Sequence, residues 1–284
     1  MEIQETNYEH IASTLNFELK IYDGLTKLIV QTTNRCHSIG VDPAYYDLLI
    51  GERDKEGKLK TQGLNQIKDK QARRLLKEVQ DDPIWQDWLS KVPGVGPFIA
   101  AKLIRLYRYK FVAICSECKA DLDDDFKCNV CKKSAKGMGN LEFRVELRDF
   151  PTISSWWHFM GRHNDESTGK MARRKSEEKS DWSSEGRRIG FLIKEAFNKF
   201  GSDHKYKAYA EKRKRYREGT HPDSTKGHRH NMAWNEAVKL FLSHFWQVAR
   251  MLSDDPLTDP WCVAHGGHDK EHIIPPYYFN GNGS

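Results

Sequence analysis

The sequence predicts a mainly α fold: a helical bundle that contains a helix-hairpin-helix and carries a small inserted β module. Apolar residues recur at helical spacing along most of the chain, and a Gly-Val-Gly turn near residue 95 joins two apolar helical segments. The segment LEFRVELRDF, residues 141–150, instead alternates apolar and charged side chains as a strand does. With 284 residues and 38% hydrophobic content, the chain is large enough to bury a substantial core.

Helical periodicity is present over about residues 8–31 and 67–79, and a short helix begins at Asp82-Pro83. Two later apolar stripes are typical of helices that close a bundle, and we interpret them as core and not as a cofactor site. They consist of Ile189, Leu192, Ile193, Ala196, Phe197 and Phe200, and of Ala237, Val238, Phe241, Leu242, Phe245 and Val248. We expect an N-terminal helical region over residues 1–82, a second domain over residues 83–284, and an extended C-terminal tail.

No segment indicates export or membrane insertion. The opening MEIQETNYEHIAS has no basic stretch followed by an apolar run, and no apolar stretch approaches the roughly 18 residues that a membrane helix needs. The sequence therefore predicts a cytoplasmic protein without a membrane partner.

Basic residues are concentrated in one region. The formal net charge is +6, but residues 170–230 contain 18 Lys or Arg against 9 Asp or Glu. Such a region attracts a polyanion by displacing its condensed counterions, which makes nucleic acid the first partner to consider. A solvated helical face is the alternative interpretation of the same charges.

Four of the six cysteines form two Cys-x-x-Cys pairs, Cys115 with Cys118 and Cys128 with Cys131, separated by nine residues. Two tight turns at this spacing bring four thiolates to the corners of one tetrahedron. We predict one structural Zn²⁺ in a zinc-ribbon-like insertion over residues 111–148, with no position left for catalysis. Cys36 and Cys262 are interpreted as buried thiols, because no neighbouring pattern activates either.

The histidines do not show a second metal motif. His228 and His230, or His265, His268 and His272, are the groups considered, and no carboxylate follows at a recognisable ligand spacing.

The segment VPGVGPFIAAKLI has the pattern of a helix-hairpin-helix, which we place at residues 89–108. We expect Gly94 and Gly96 to adopt conformations closed to other residues, and Val95 to anchor the turn between the helices. Pro97 suits the first turn of the second helix, whose unpaired N–H groups would face a phosphate. The predicted contacts are Val92, Gly94, Val95, Gly96 and Lys102; a hairpin used only for packing is the alternative.

Several segments, in order, resemble the C-terminal transposase domain of the insertion-sequence 110, 116 and 902 family. They are VPGVGPFIAAKLI, RDFPTISSWWHFMGRH, GRRIGFLIKEAF, AYAEKRKRYREG and HNMAWNEAVKLFLSHFWQVAR, and the match covers roughly residues 84–278. The closing GHDKEHIIPPYY is similar to the end of short archaeal-type relatives, so the resemblance implies a prokaryotic, nucleoid-associated protein.

Full-length members of that family cut DNA with a metal-binding RuvC-like domain and a serine of the C-terminal domain. The first 90 residues here lack the hydrophobic strand ending in aspartate that opens a RuvC-like fold. The nearest counterpart of the family serine is Ser167, with Ser176 a weaker candidate, and neither has the family spacing. A loop serine is the alternative role for Ser167, and Mg²⁺ would be required only if the protein is catalytic.

The basic stretches of this sequence also match those of the resembled domain. They comprise Lys170, Arg173, Arg174, Lys175, Arg187, Arg188, Lys212, Arg213, Lys214, Arg215 and Arg217. We therefore predict a protein of transposase ancestry that binds duplex or branched DNA. Self-association into a homo-oligomer is left open. Two alternatives remain: an active recombinase with Ser167 as nucleophile, and a module that binds structured RNA.

Overall fold

The structure is a computed structural model, and it describes residues 2–123, 125–134, 142–165, 169, 171–174, 178–267 and 269–279. The predicted mainly α class is confirmed, since most of these residues are helical and the sheet formed among them has two strands. The predicted small β module is present beside the cysteines. Within the described ranges, no helix is both long enough and apolar enough to cross a bilayer.

The helices are α1 Glu2–Ser38, α2 Pro43–Ile50, α3 Leu64–Val79, α4 Pro83–Asp87, α5 Pro97–Arg108, α6 Ile153–Phe159, α7 Ser184–Asn198, α8 Lys205–Thr220, α9 Lys226–Leu252 and α10 Trp261–Ala264. The strands are β1 Tyr109–Ile114 and β2 Glu142–Leu147, and two 3₁₀ helices span Leu89–Lys91 and Lys270–His272.

The first helix is longer at both ends than its apolar periodicity predicts. Gly40, with φ of +63°, follows its last turn, and the N–H of Val41 donates to the carbonyl of Cys36 at 3.0 Å. This six-to-one bond is typical of a glycine-terminated helix. The next helix begins at once, because the carboxylate of Asp42 accepts from the N–H of Ala44 and Pro43 occupies its first turn.

The chain forms two compact units. The first comprises Met1–Glu78 and Ile104–Asp149, and the second comprises Val79–Leu103 and Phe150–Ser284. The cysteine module, an insertion in the sequence, therefore packs with the N-terminal helices. The predicted domain boundary at residue 82 stays a prediction.

The first unit packs α1 against α2 and β2. Leu15 and Leu19 of α1 are buried, and Gln71 of α3 donates to the carbonyl of Glu18 at 3.0 Å. Strands β1 and β2 are antiparallel, with Phe111 opposite Val145. The strand predicted from LEFRVELRDF is thus present.

The second unit is built around α9, against which α4, α6, α7 and α8 pack. Its predicted apolar stripe is core: Ala237, Val238, Phe241, Leu242, Phe245 and Val248 are all at most 1% exposed. Trp88 stacks on Phe241 with ring centroids 5.4 Å apart. Trp156 stacks on Phe245 at 5.8 Å, so aromatic residues fill the centre of the bundle.

The C-terminal segment is held to this core. The indole N–H of Trp88 donates to the carbonyl of Tyr277 at 2.6 Å, and the imidazole of His244 bonds the carbonyl of Ile274 at 2.9 Å. The other ring nitrogen of His244 lies 2.8 Å from the hydroxyl of Tyr206. Because a carbonyl only accepts, Nε2 of His244 carries the proton and Nδ1 accepts from Tyr206.

Candidate functional site

The turn of the predicted hairpin lies in the second unit, between a short helical segment and the first half of α5. The first arm is α4 followed by the 3₁₀ helix Leu89–Lys91, and the turn closes with the N–H of Val95 donating to the carbonyl of Val92 at 3.1 Å. Leu89, Val92 and Val95 are buried. The two arms are therefore held by apolar side chains beneath the turn.

The two glycines of the turn differ. Gly94 has φ of +87°, and a Cβ at this position would lie 2.8 Å from the ring of Phe200 and 3.4 Å from that of Phe197. It is therefore required for both conformation and close packing. Gly96 does not have positive φ, and a Cβ there would meet nothing within 4 Å. The expectation that Gly96 needs a special conformation is wrong, since its backbone is ordinary and faces open space.

The open side of Gly96 exposes the start of α5. Within the described part of the chain, no group accepts from the N–H of Gly96 or of Ile99, and the first bond of the helix runs from Ala100 to the carbonyl of Gly96 at 3.1 Å. Unpaired N–H groups at a helix start carry partial positive charge. Ile99 is buried and Gly96 is exposed, so the accessible part of the turn is the backbone at Gly96, with no side chain above it.

Three predicted hairpin contacts are turned inward. Val92 and Val95 are 2% and 6% exposed as whole residues, so both lie beneath the surface of the turn. Lys102 is 5% exposed, and its ammonium pairs with the carboxylate of Glu185 at the start of α7. The interpretation of Lys102 as a surface phosphate contact is corrected: a buried lysine satisfied by a carboxylate is a packing element of α5 and α7.

The hairpin lies directly beside the start of α8. The imidazole of His204 donates from Nε2 to the carbonyl of Pro93 at 3.0 Å, while its Nδ1 caps α8 by accepting from the N–H of Lys207 at 3.3 Å. One histidine therefore joins the turn to the N-terminus of a second helix. Burial lowers the pKa of His204, which favours the neutral ring that this capping geometry needs.

The predicted basic residues differ in how exposed they are. Lys212 and Arg215 are exposed on α8, Arg188 is exposed on α7, and Arg173 and Arg174 are exposed before it. Lys214 is half-buried and lies 3.9 Å from the carboxylate of Glu211.

Three predicted basic residues have structural partners. Arg187 donates to the carbonyl of Gly161 at 2.8 Å and lies 4.1 Å above the ring of Trp182. Arg213 pairs with the carboxylate of Glu236, and Arg217 donates to the same carboxylate at 2.9 Å. These guanidinium groups link segments of the bundle, and their role as DNA contacts stays a prediction.

The neighbouring aromatic residues are mainly core, as the sequence interpretation favoured. Tyr206 is fully buried and stacks on Phe197 at 5.1 Å, and Trp182 is 9% exposed. Tyr216, in contrast, is 52% exposed on α8, where the guanidinium of Arg213 lies 4.5 Å from its ring. Tyr216 is therefore the one of these three rings that is open to a base.

Two lysines beside the hairpin were not singled out by the sequence. Lys199 precedes Phe200, whose ring contacts Gly94, and Lys205 begins α8; both are exposed. Both lie within the basic region at residues 170–230, but in the sequence the denser run of basic residues at 212–215 is more conspicuous. The packing of their neighbours Phe200 and His204 against Gly94 and Pro93 places Lys199 and Lys205 beside the turn.

Four other predicted residues, Ser167, Lys170, Lys175 and Ser176, lie outside the described residues.

The four predicted metal ligands converge in the first unit. The sulfur atoms of Cys115, Cys118, Cys128 and Cys131 all lie within 4.8 Å of one another. Cys115 and Cys131 are separated by 3.6 Å between sulfurs, and Cys118 and Cys128 by 3.3 Å. A tetrahedral ion with metal–sulfur bonds of about 2.3 Å requires about 3.8 Å between sulfurs. The cluster therefore has the geometry to hold one metal ion.

The two Cys-x-x-Cys turns repeat one backbone design. The N–H of Lys119 donates to the carbonyl of Cys115 at 3.0 Å, and the N–H of Lys132 donates to that of Cys128 at 3.0 Å. Both lysines have positive φ, 57° and 60°. These bonds close each turn tightly, and N–H groups within the turn point at the sulfur of its first cysteine.

These N–H groups favour the thiolate form of the leading cysteines. The N–H of Cys131 lowers the pKa of the Cys128 thiol to about 6, and the N–H groups of Cys118 and Glu117 lower the pKa of Cys115. Thiolates are the form that binds a metal ion. The turns therefore favour the thiolate of the first cysteine in each pair. The pKa of Cys118 is raised and that of Cys131 is raised to about 11, because hydrogen bonds with neighbouring thiols outweigh the N–H groups of Ala120 and Lys133.

Comparison of the chain with protein-family models, with curated proteins and with solved structures finds no match.

Proposed function

We propose that this protein binds DNA through its phosphate backbone, with the turn at Gly96 and the adjacent exposed face of α8 as the contact surface. The proposal concerns binding, because the candidate nucleophile Ser167 lies outside the described residues. The observation that carries it is the open, donor-bearing start of α5 beside Lys199 and Lys205.

The charge on α8 extends this surface. Lys205, Lys212 and Arg215 are exposed and lie on one side of the helix; we call these three residues the basic strip. Residues ten apart in a helix are separated by about 15 Å. That is about four base-pair steps of roughly 3.4 Å. The strip therefore has the length to follow a phosphate backbone outward from the hairpin.

A backbone-based grip predicts recognition without sequence preference. N–H groups at a helix start and lysine ammonium groups contact phosphates, and such contacts do not depend on the base sequence. The arginine of the basic strip, Arg215, lies away from the hairpin and so cannot contact bases there. The exposed ring of Tyr216 adds a platform on which an unpaired base could stack, which is consistent with branched as well as duplex DNA.

The first test measures binding to a labelled duplex by fluorescence polarisation between about 50 and 200 mM salt. We expect affinity to fall steeply with salt. A Lys205→Gln/Lys212→Gln/Arg215→Gln variant should bind more weakly and reduce the log–log salt slope by about 0.9 for each lost phosphate contact. Gly96→Val should weaken binding to every duplex tested, because its side chain occupies the space that a phosphate would take.

The charge-matched control is Arg73→Gln/Arg74→Gln/Lys77→Gln, three exposed positions of α3 in the first unit. This control removes the same charge as the basic-strip variant but should change the log–log salt slope of DNA binding much less. If both triple variants lost the same amount of DNA affinity, net charge alone would explain the effect, and the proposed surface would be contradicted. Tighter binding to a structured RNA of equal length would replace DNA with RNA as the partner.

We further propose that the cysteine cluster holds one structural Zn²⁺. Four thiolates are a ligand set that zinc prefers, and they fill all four tetrahedral positions, so no site remains for an activated water. The ion would link two turns that have few apolar residues of their own.

A further inference from the structure

Two histidines and an aspartate converge in the second unit, apart from the cysteines. His158 ends the last full turn of α6, His163 follows four residues beyond that helix, and Asp181 precedes α7. One possible ligand atom from each lies within 4.8 Å of the other two. We propose that His158, His163 and Asp181 form a second metal site, selective for a divalent transition ion such as Zn²⁺ or Co²⁺.

The distances are close to those that such an ion imposes. Nε2 of His158 lies 2.8 Å from Oδ2 of Asp181. Ligand atoms at about 2.0–2.1 Å from a tetrahedral zinc ion are separated by roughly 3.3 Å. The histidine–aspartate pair must therefore open by about half an ångström, the other pairs must close by no more than about 1.5 Å, and one imidazole must turn out of the stack.

The two imidazole rings are already paired. Their centroids are 3.9 Å apart and their planes differ by 7°. A metal ion lies in the plane of each imidazole that binds it, so at least one of these nearly parallel rings must rotate about its side-chain torsions before both can bind one ion.

The hydrogen bonding of the cluster is incomplete. Nδ1 of His163 is buried and has no hydrogen-bond partner in the part of the chain that the structure describes. A buried polar atom without a partner is costly and is explained when a ligand or ion completes the site. Asp181 is 68% exposed and His158 45% exposed at their side chains, so an ion can enter from solvent.

The ligand set defines the chemistry. Imidazole and carboxylate together suit zinc and its divalent first-row neighbours, whereas Mg²⁺ and Ca²⁺ prefer oxygen ligands alone. Three protein ligands leave a fourth position for water. The ion would also join the end of α6 to the segment before α7, which fixes the connection that carries Arg173 and Arg174.

The test is the metal stoichiometry of the full chain. Purified protein is dialysed against Zn²⁺ and the bound metal is measured by atomic absorption, with calorimetry for the second equivalent. We expect two ions per chain in the wild type. Asp181→Asn and His163→Gln should each retain the cysteine-bound ion and weaken the second by more than roughly 100-fold, since loss of a ligand exceeds the effect of losing its supporting contact.

Cobalt distinguishes the two sites directly. Co²⁺ in the cysteine cluster gives a thiolate-to-metal charge-transfer band, whereas Co²⁺ on His158, His163 and Asp181 gives only weak d–d absorption. The second equivalent should add d–d absorption without thiolate bands, and the Asp181→Asn variant should lose that step. His228→Gln, an exposed histidine at the start of α9, is the matched control and should keep both steps.

A wild-type protein that binds a single ion, with thiolate absorption only, would overturn the proposal. So would a second ion that Asp181→Asn and His163→Gln both retain. Far-UV circular dichroism identifies any variant that does not fold, and His158→Gln then takes its place in the same titration.

Discussion

At the scale of single residues, the two glycines of the hairpin have opposite roles. Gly94 is required by the fold, because its φ of +87° and the rings of Phe197 and Phe200 exclude a side chain. Gly96 is not required by the fold, since it has an ordinary conformation and open space above it. A position that is free of internal constraint and bears unpaired donors is where a ligand can approach the backbone.

This difference predicts distinct effects on stability. Gly94→Ala should destabilise the second unit by on the order of 1–3 kcal/mol, because alanine is strained at positive φ and its methyl group meets Phe200. Gly96→Ala should change stability by less than about 0.5 kcal/mol. Urea unfolding followed by tryptophan fluorescence measures both. Equal stability of the two variants would contradict the assigned roles.

At the scale of elements, the cysteine module is a two-stranded segment whose four sulfurs could hold a metal ion. Its strands β1 and β2 pair over six residues each, yet the turns between them place exposed side chains around the four sulfurs. Cys115 and Cys128 are the buried members of the cluster. The proposed ion would join the two turns of this segment and so contribute to its stability.

Removal of the metal ion should therefore open this module selectively. In the presence of a strong chelator we expect new protease cleavage between residues 115 and 131, together with release of one zinc ion from the cysteines. Cys118→Ser should show the same cleavage without chelator. Cys36→Ser, a buried cysteine of α1 outside the cluster, should keep the ion and resist cleavage. Unchanged protease resistance after complete metal removal would show that the proposed ion has no structural role.

At the scale of the whole molecule, the two compact units can be followed separately. All eight tryptophans lie in Val79–Leu103 or Phe150–Ser284, so their fluorescence reports the second unit alone. That unit has a buried titratable group at its centre. Burial lowers the pKa of His244 from 6.5 to about 4, and both ring nitrogens are already bonded in the neutral form.

Acid should therefore destabilise the second unit. Because the folded pKa of His244 is below its unfolded value, the contribution of the neutral ring is complete above pH 6.5 and is lost as the pH falls toward 4. Full loss corresponds to about 3 kcal/mol at roughly 1.4 kcal/mol per pH unit. Urea unfolding between pH 5 and 6.5 should show that the free energy of unfolding depends less steeply on pH in His244→Gln than in the wild type. His228→Gln should keep the wild-type slope; identical slopes in all three proteins would exclude His244 as the cause.

The sequence by itself determined the features that depend on local pattern. Helical spacing identified the core stripe of α9, alternation identified β2, and the paired Cys-x-x-Cys motifs identified the four sulfurs that converge. Each of these signals is carried by neighbouring residues and needs no knowledge of distant contacts. The mainly α class follows from the same signals.

Only the tertiary structure decided which polar residues face solvent and which distant residues meet. Charge in the sequence did not distinguish Lys102, buried against Glu185, from Lys205, exposed beside the hairpin. Nor did spacing bring Asp181 to His158 and His163, since no local motif links them. Burial and long-range proximity arise from packing between elements, so a pattern read along the chain cannot contain them.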